Sequence, residues 1–211
     1  MRLRKIKDAE IKLQQYPQYV VFDPAQHYGR WLTFFNNDYP LYLEIGMGKG
    51  KFIIEQAARN QGVNFVGCEV YESITLRAVR KIADKDIGNL KMINCNAQDL
   101  DKIFAAGEVK KIYLNFSDPW PKARHEKRRL TSKDYMDIYR CILCDNGEIE
   151  LKTDNPCFFE YSLIQFNNYG FHFTDVSLDL HGSDRENIIT TEYEEKFLEN
   201  EQKIYYLKVK K

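Results

Sequence analysis

The chain is expected to fold as an α/β protein, with a doubly wound, mainly parallel sheet of about seven strands. Three observations carry that expectation. Short apolar runs alternate with helical runs from residue 41 onward. A glycine-rich turn follows the first apolar run. Polar residues stand at the carboxyl ends of successive apolar runs, where open α/β sheets bind their ligands.

The elements follow in order. Residues 1–40 read as a basic N-terminal arm: Arg2, Arg4, Lys5, Lys7 and Lys12 give it charge, and Pro17, Pro24 and Pro40 interrupt it. Residues 41–211 read as the α/β domain. Leu41–Ile45 is a short apolar strand, followed by Gly46-Met47-Gly48-Lys49-Gly50 and a helical run, Phe52–Arg59. Asn64–Cys68 is a second strand, ending at Glu69, and Ser73–Ala83 is helical. Leu90–Asn94 is a third strand, ending near Asn96, and Lys111–Asn115 a fourth. The apolar positions Tyr135, Met136, Ile138, Tyr139, Ile142 and Leu143 cover one broad face of a helix over Lys133–Leu143. Asn146-Gly147 turns into a fifth strand, Glu148–Lys152, which ends at Thr153-Asp154-Asn155. Phe158–Phe166 is helical, and Phe171–Val176 and Ile204–Val209 complete the strands. Glu44, Glu69, Asn96, Asp118 and Asp154 then lie at five strand ends and are expected to converge on one cleft.

Charge is balanced overall, with 31 basic and 31 acidic residues in 211, but it is unevenly placed. Lys122, Arg124, Lys127, Arg128, Arg129 and Lys133 accumulate against one acid, Glu126. Residues 175–201 are strongly acidic. Such a dipolar chain can steer a polyanion to one face. No stretch has the length of a membrane span and no signal segment opens the chain. The five cysteines (68, 95, 141, 144 and 157) lack the spacing of a disulfide framework. A reduced, cytoplasmic protein is therefore expected, as monomer or homodimer, without membrane contact. The single C-x-x-C at Cys141 and Cys144 has no second pair, so no metal is expected.

Two stretches carry chemistry. Asp118 sits between a strand end and Pro119, and Trp120 precedes Pro121, so this loop is stiff and helix-averse. An acid held at a strand tip beside a cationic run suggests a reaction centre next to a phosphate-rich substrate. The second stretch is Glu44-x-Gly46-x-Gly48-x-Gly50, whose glycines allow close backbone approach to a ligand. It has neither the G-x-G-x-x-G spacing of dinucleotide binders nor the Lys-Ser/Thr ending of a phosphate loop. Glu69, at the second strand's end, can accept both hydroxyls of a ribose.

Leu43-Glu44-Ile45-Gly46-x-Gly48-x-Gly50 with Glu69 resembles the cofactor signature of class I methyltransferases that use S-adenosylmethionine (AdoMet). Asn115-Phe116-Ser117-Asp118-Pro119-Trp120-Pro121-Lys122, continued by the Arg-His-Glu-Lys-Arg-Arg run, resembles the bacterial tRNA (guanine-N7-)-methyltransferase (TrmB) family. Lys152-Thr153-Asp154-Asn155 and Thr191-Glu192-Tyr193-Glu194 are similar to its later motifs. The resemblance implies a Rossmann-like class I fold over residues 41–211. It implies methyl transfer to N7 of guanine 46 in the tRNA variable loop. It further implies cofactor contacts from Glu44, Gly46, Gly48, Glu69, Asn96 and Asp118. Lys122, Asp154, Thr191, Glu192, Tyr193 and Glu194 are the implied tRNA or guanine contacts. Arg124, His125, Lys127, Arg128 and Arg129 are implied to touch RNA. Met47 stands where a smaller residue is expected and bears on packing around the cofactor's methionine part.

The chemistry suits these residue types. Guanine N7 carries an in-plane lone pair and no proton, so no general base is needed and alignment and electrostatics dominate. Positive charge passes to the imidazole ring of the base, which the Asp118 carboxylate can stabilise as the catalytic group. Selection for guanine is expected to use a donor to O6, for which Lys122 is the candidate, because a donor to N7 would block attack. Asp154 and Glu194 are the candidate acceptors for the N1 and N2 protons. Two other readings compete: an AdoMet-dependent amino-methyltransferase of RNA or nucleobases, and a non-catalytic RNA-binding protein on the same scaffold.

Overall fold

The computed structural model describes residues 5–83, 85, 87–200 and 202–211, so Arg2, Arg4 and Glu201 of the charged segments lie outside the described residues. Its strands are β1 (Val20–Val21), β2 (Leu41–Ile45), β3 (Asn64–Glu69), β4 (Leu90–Asn94), β5 (Val109–Asn115), β6 (Leu143–Thr153), β7 (His172–Ser177) and β8 (Tyr205–Lys210). Its helices are α1 (Ala9–Leu13), α2 (Trp31–Phe35), α3 (Lys51–Arg59), α4 (Glu72–Ile82), α5 (Lys133–Ile142), α6 (Pro156–Asn168) and α7 (Glu192–Leu198).

The strands form one eight-stranded sheet in the order β1-β4-β3-β2-β5-β6-β8-β7. β1 to β6 pair parallel, while β8 runs antiparallel against β6 and β7 antiparallel against β8. This is the doubly wound, mainly parallel sheet expected from the alternation. All six residues of β3 are buried, as a parallel strand covered on both faces requires. Two apolar cores flank the sheet. One is centred on Leu43, Leu114, Tyr139 and Leu151, the other on Phe52, Phe65, Leu76 and Val79. The chain lays β3 and β4 to one side of β2 and then crosses to place β5 on the other. The reversal between β2 and β5 opens a crevice at their carboxyl ends.

Three local differences from expectation have physical reasons. The additional strand is β1, two residues too short to show a period; pairing with Met92 and Ile93 makes it a strand. The expected Asn146-Gly147 turn lies within β6, where the pairing with β5 jumps from Leu143 to Glu148 and Asn146 takes φ +57°. Residues 5–40 do not stand apart as an arm. Trp31 is fully buried, stacks on Phe104 at 5.2 Å and donates its Nε1–H to the Ile103 carbonyl at 3.0 Å. The Glu108 carboxylate accepts the Gly29, Trp31 and Ala105 amides, fastening this segment to the loop before β5. Apolar burial and satisfied amides thus override the scattered prolines.

Candidate functional site

A cavity of about 560 Å³ opens at the carboxyl edge of the sheet, within the size range of small-molecule sites. Ile45 and Gly46 reach it from β2, Cys68 and Glu69 from β3, Cys95 and Asn96 from the end of β4, and Ser117, Asp118 and Trp120 from the loop after β5. Gly46 and Gly48 take φ of +75° and +56°, and a Cβ on either would meet nothing within 4 Å. The loop therefore presents bare backbone to open space. Glu69 braces it, accepting the Tyr71 N–H at 3.1 Å and the Gly48 N–H at 3.2 Å. Burial raises the Glu69 pKa, and those amides pull it partway back. Asn96 caps the following 3₁₀ turn, accepting the Gln98 N–H at 3.0 Å. The Ser117 hydroxyl lies in the cavity wall, buried and without a hydrogen-bond partner among the described residues. Met47 does not crowd this space. It packs in the core beneath the loop, against Gly67, where a Cβ would collide with its sulfur.

Glu44 sits beneath the loop rather than in the cavity wall. It is fully buried, accepts the Asn115 Nδ2–H at 2.9 Å through Oε1, and leaves Oε2 unpartnered. Burial pushes its carboxyl pKa from 4.5 to about 8, against the pull of Asn115. A carboxyl that binds its proton more tightly folded than unfolded contributes stability that is fully present below pH 4.5 and lost as the pH rises to about 8. Urea titrations at pH 5 and pH 8 are expected to show this loss in the wild type and a smaller one in Glu44→Gln. An equal loss in both proteins would remove Glu44 as its source.

The loop after β5 is shaped by two strained residues. Phe116 and Trp120 take φ of +51° and +41°, in the left-handed region costly for bulky side chains. The half-buried Phe116 ring packs against the Leu180, Ile204 and Tyr206 cluster, 5.6 Å from Tyr193 and 6.2 Å from Phe197 of α7, and lines the cavity together with Asp118 and Trp120. The basic run forms a 3₁₀ turn over Ala123–Arg128. Lys122, Arg124, Lys127 and Arg128 are exposed along it and His125 is half-buried, 5.5 Å from Trp120 edge-on. Arg128 reaches the cavity and lies over the Trp120 ring at 4.8 Å. Arg129 differs: its guanidinium turns inward onto the loop's own backbone.

The C-terminal motif divides by role. Thr191 and Glu194, expected at the substrate, form a capping box on α7: Thr191 Oγ1 accepts the Glu194 N–H at 2.9 Å and Glu194 Oε2 the Thr191 N–H at 3.1 Å. Glu194 is also fully buried against the Lys152 ammonium at 3.2 Å and His181 Nε2 at 2.7 Å. Its lone pairs are spent inside the fold, leaving none for a base. Burial lowers the Lys152 pKa and Glu194 pulls it back. Glu192 pairs with Lys81 of α4. Tyr193 is the exposed member, and its raised pKa comes from burial and then from the charges of Asp154 and Asp118. Of these three, Asp118 lines the cavity.

Of the five strand-end groups, Glu69, Asn96 and Asp118 share the cavity, while Asp154 and the buried Glu44 are not part of its lining. Val70 and Tyr71, 52% and 63% exposed, and the half-buried Cys95 also line it. Their signal in the sequence is position alone, just past a strand-end polar residue. The Cys68 and Cys95 sulfurs lie 2.9 Å apart as free thiols. Among the described residues no group of three or more His, Cys, Asp or Glu could hold a metal ion, and no helix is long and apolar enough to cross a membrane.

Comparisons with known proteins point the same way. Residues 38–207 match the model of a family described as putative methyltransferase. A tRNA (guanine-N(7)-)-methyltransferase of Geobacillus sp. (strain WCH70) is 52% identical over 210 residues, covering 100% of this chain and 96% of that protein. One from Streptococcus thermophilus (strain CNRZ 1066) is 48% identical, covering 97% of this chain and 96% of that protein. Among solved structures, an antibiotic-related methyltransferase superposes with a TM-score of 0.65 at 16% identity, over 87% of this chain and 92% of that one. A SAM-dependent methyltransferase from Aquifex aeolicus gives 0.58 at 10% identity, over 98% and 99%. Those two likenesses speak for the fold.

Proposed function

The chain belongs to the putative methyltransferase family and, within it, to the tRNA (guanine-N(7)-)-methyltransferases, and from that premise we propose that it methylates N7 of guanine 46 in the tRNA variable loop. The observation that supports this most is the position of Asp118. It shares one cavity with the ribose-binding candidate Glu69 and borders an exposed basic loop. The chain is read as cytoplasmic, acting as monomer or homodimer.

The cavity fits the expected cofactor: bare glycine backbone, an anchored carboxylate, an unpartnered serine hydroxyl and adequate volume. AdoMet supplies, when bound, a methyl group on a cationic sulfonium. Glu69 would hold the ribose, Asn96 would contact the nucleoside beyond it, and Gly46 and Gly48 would let the backbone close on the ligand. Asp118 would offer its carboxylate to the guanine ring as that ring becomes cationic. Lys122 is the donor assigned to O6 and Asp154 the acceptor assigned to the N1 and N2 edge; with Glu194 occupied inside the fold, the exposed Tyr193 of the same motif takes its place. Lys122, Arg124, His125, Lys127 and Arg128 would meet the phosphate backbone.

Glu69→Ala is expected to weaken AdoMet binding by about 1–3 kcal/mol through lost charge-assisted hydrogen bonds. Calorimetric affinity equal to the wild type would take Glu69 out of the site. The function itself is tested by incubating the protein with labelled AdoMet and unmodified tRNA. Label in the tRNA supports the reading. AdoMet binding without any transfer would instead support the non-catalytic RNA-binding scaffold.

A further inference from the structure

We propose that Arg129 is a positioning residue that clamps the Asp118–Pro121 loop in its reactive shape, rather than a cation offered to RNA phosphate. Its Nε donates to the Pro119 carbonyl at 3.1 Å and to the Trp120 carbonyl at 3.3 Å, and Nη2 donates to the Trp120 carbonyl at 3.2 Å. Its guanidinium also lies over the Tyr161 ring of α6 at 4.3 Å. The Tyr161 hydroxyl in turn donates to Glu126 at 2.9 Å, tying the basic turn to the same helix. Among the described residues, Lys122, Arg124 and Lys127 make no side-chain hydrogen bond or ion pair, so Arg129 stands apart from its neighbours.

The chemistry explains why an arginine is needed. Trp120 holds a left-handed backbone at φ +41°, which a bulky residue adopts only under constraint. Two successive carbonyls turned onto one planar cation supply that constraint. A guanidinium can donate to both while its face rests on an aromatic ring; a lysine ammonium is a point charge without that fork. Pro119 directly follows Asp118, and both Asp118 and Trp120 line the cavity. Releasing the clamp would therefore displace the acid and the adjoining wall together.

This inference rests on the reading of the cavity as the methyl-transfer site, and the test separates the two. Arg129→Lys keeps the charge and removes the fork, and Lys127→Ala serves as the electrostatic comparison. Single-turnover transfer at saturating AdoMet and tRNA is expected to fall at least tenfold in Arg129→Lys. The salt slope of its tRNA binding should stay at the wild-type value, whereas Lys127→Ala lowers the slope by about 0.7–0.9 if one phosphate contact is lost. Acrylamide quenching supplies a readout independent of activity. Trp31 is fully buried, so quenching reports Trp120, and Arg129→Lys is expected to raise it. Wild-type quenching in Arg129→Lys overturns the clamp, as does a wild-type saturated rate. If the wild-type protein transfers no methyl group, the functional reading fails while quenching still decides the clamp.

Discussion

Asp118→Asn is expected to slow methyl transfer by about 10²-fold or more while the fold survives. The side chain is exposed at the cavity wall, and the loop around it is shaped by Phe116, Trp120 and Arg129 rather than by its carboxylate. Asparagine keeps the shape and an acceptor oxygen but removes the charge. Charge is the lever because guanine N7 needs no base, while the forming methylguanine is cationic. Single-turnover rates at saturating AdoMet and tRNA isolate this step from binding. A saturated rate within a few-fold of wild type would reduce Asp118 to a cofactor contact. A bell-shaped pH profile abolished by the substitution would point to a general base instead.

Glu194→Ala is expected to cost about 3–5 kcal/mol of folding stability, because it strands the buried Lys152 ammonium and dismantles the α7 capping box. Among the described residues, Lys152 would retain only the Ile189 carbonyl as a hydrogen-bond partner, at 2.8 Å. The loss should be read by chemical denaturation rather than by activity, since freeing α7 also moves Tyr193. A loss below about 1 kcal/mol would mean that Glu194 is not held by these partners and remains available to a substrate.

Local patterns were legible in the sequence where the chemistry is itself local. The glycine loop, the strand-end Glu69 and Asp118 bound between a strand and a proline each announce themselves within a few residues. The same is true of the alternation that gives β2 to β6. What was not legible depends on distant partners. Thr191 and Glu194 have the spacing of a capping box, yet the family resemblance of their motif implies a substrate contact, because Lys152 and His181 meet Glu194 only after folding. Arg129 sits in a charge run and shows its separate role only once Pro119, Trp120 and Tyr161 surround it. Likewise β1 and the burial of Trp31 come from β4, Phe104 and Glu108, none near them in sequence.

The central claim is transfer to N7 of one guanine, and the product's own chemistry tests it. A methyl group on N7 leaves the purine with a cationic imidazole ring that borohydride reduces, so that aniline then cuts the RNA chain there. Methylation of an exocyclic amine leaves the ring intact. Unmodified tRNA treated with the enzyme and AdoMet should be cut once, at guanine 46, and no cut should appear without AdoMet or with Asp118→Asn at matched short times. Methylated tRNA that resists this cleavage, or a cut at another nucleotide, would contradict the account.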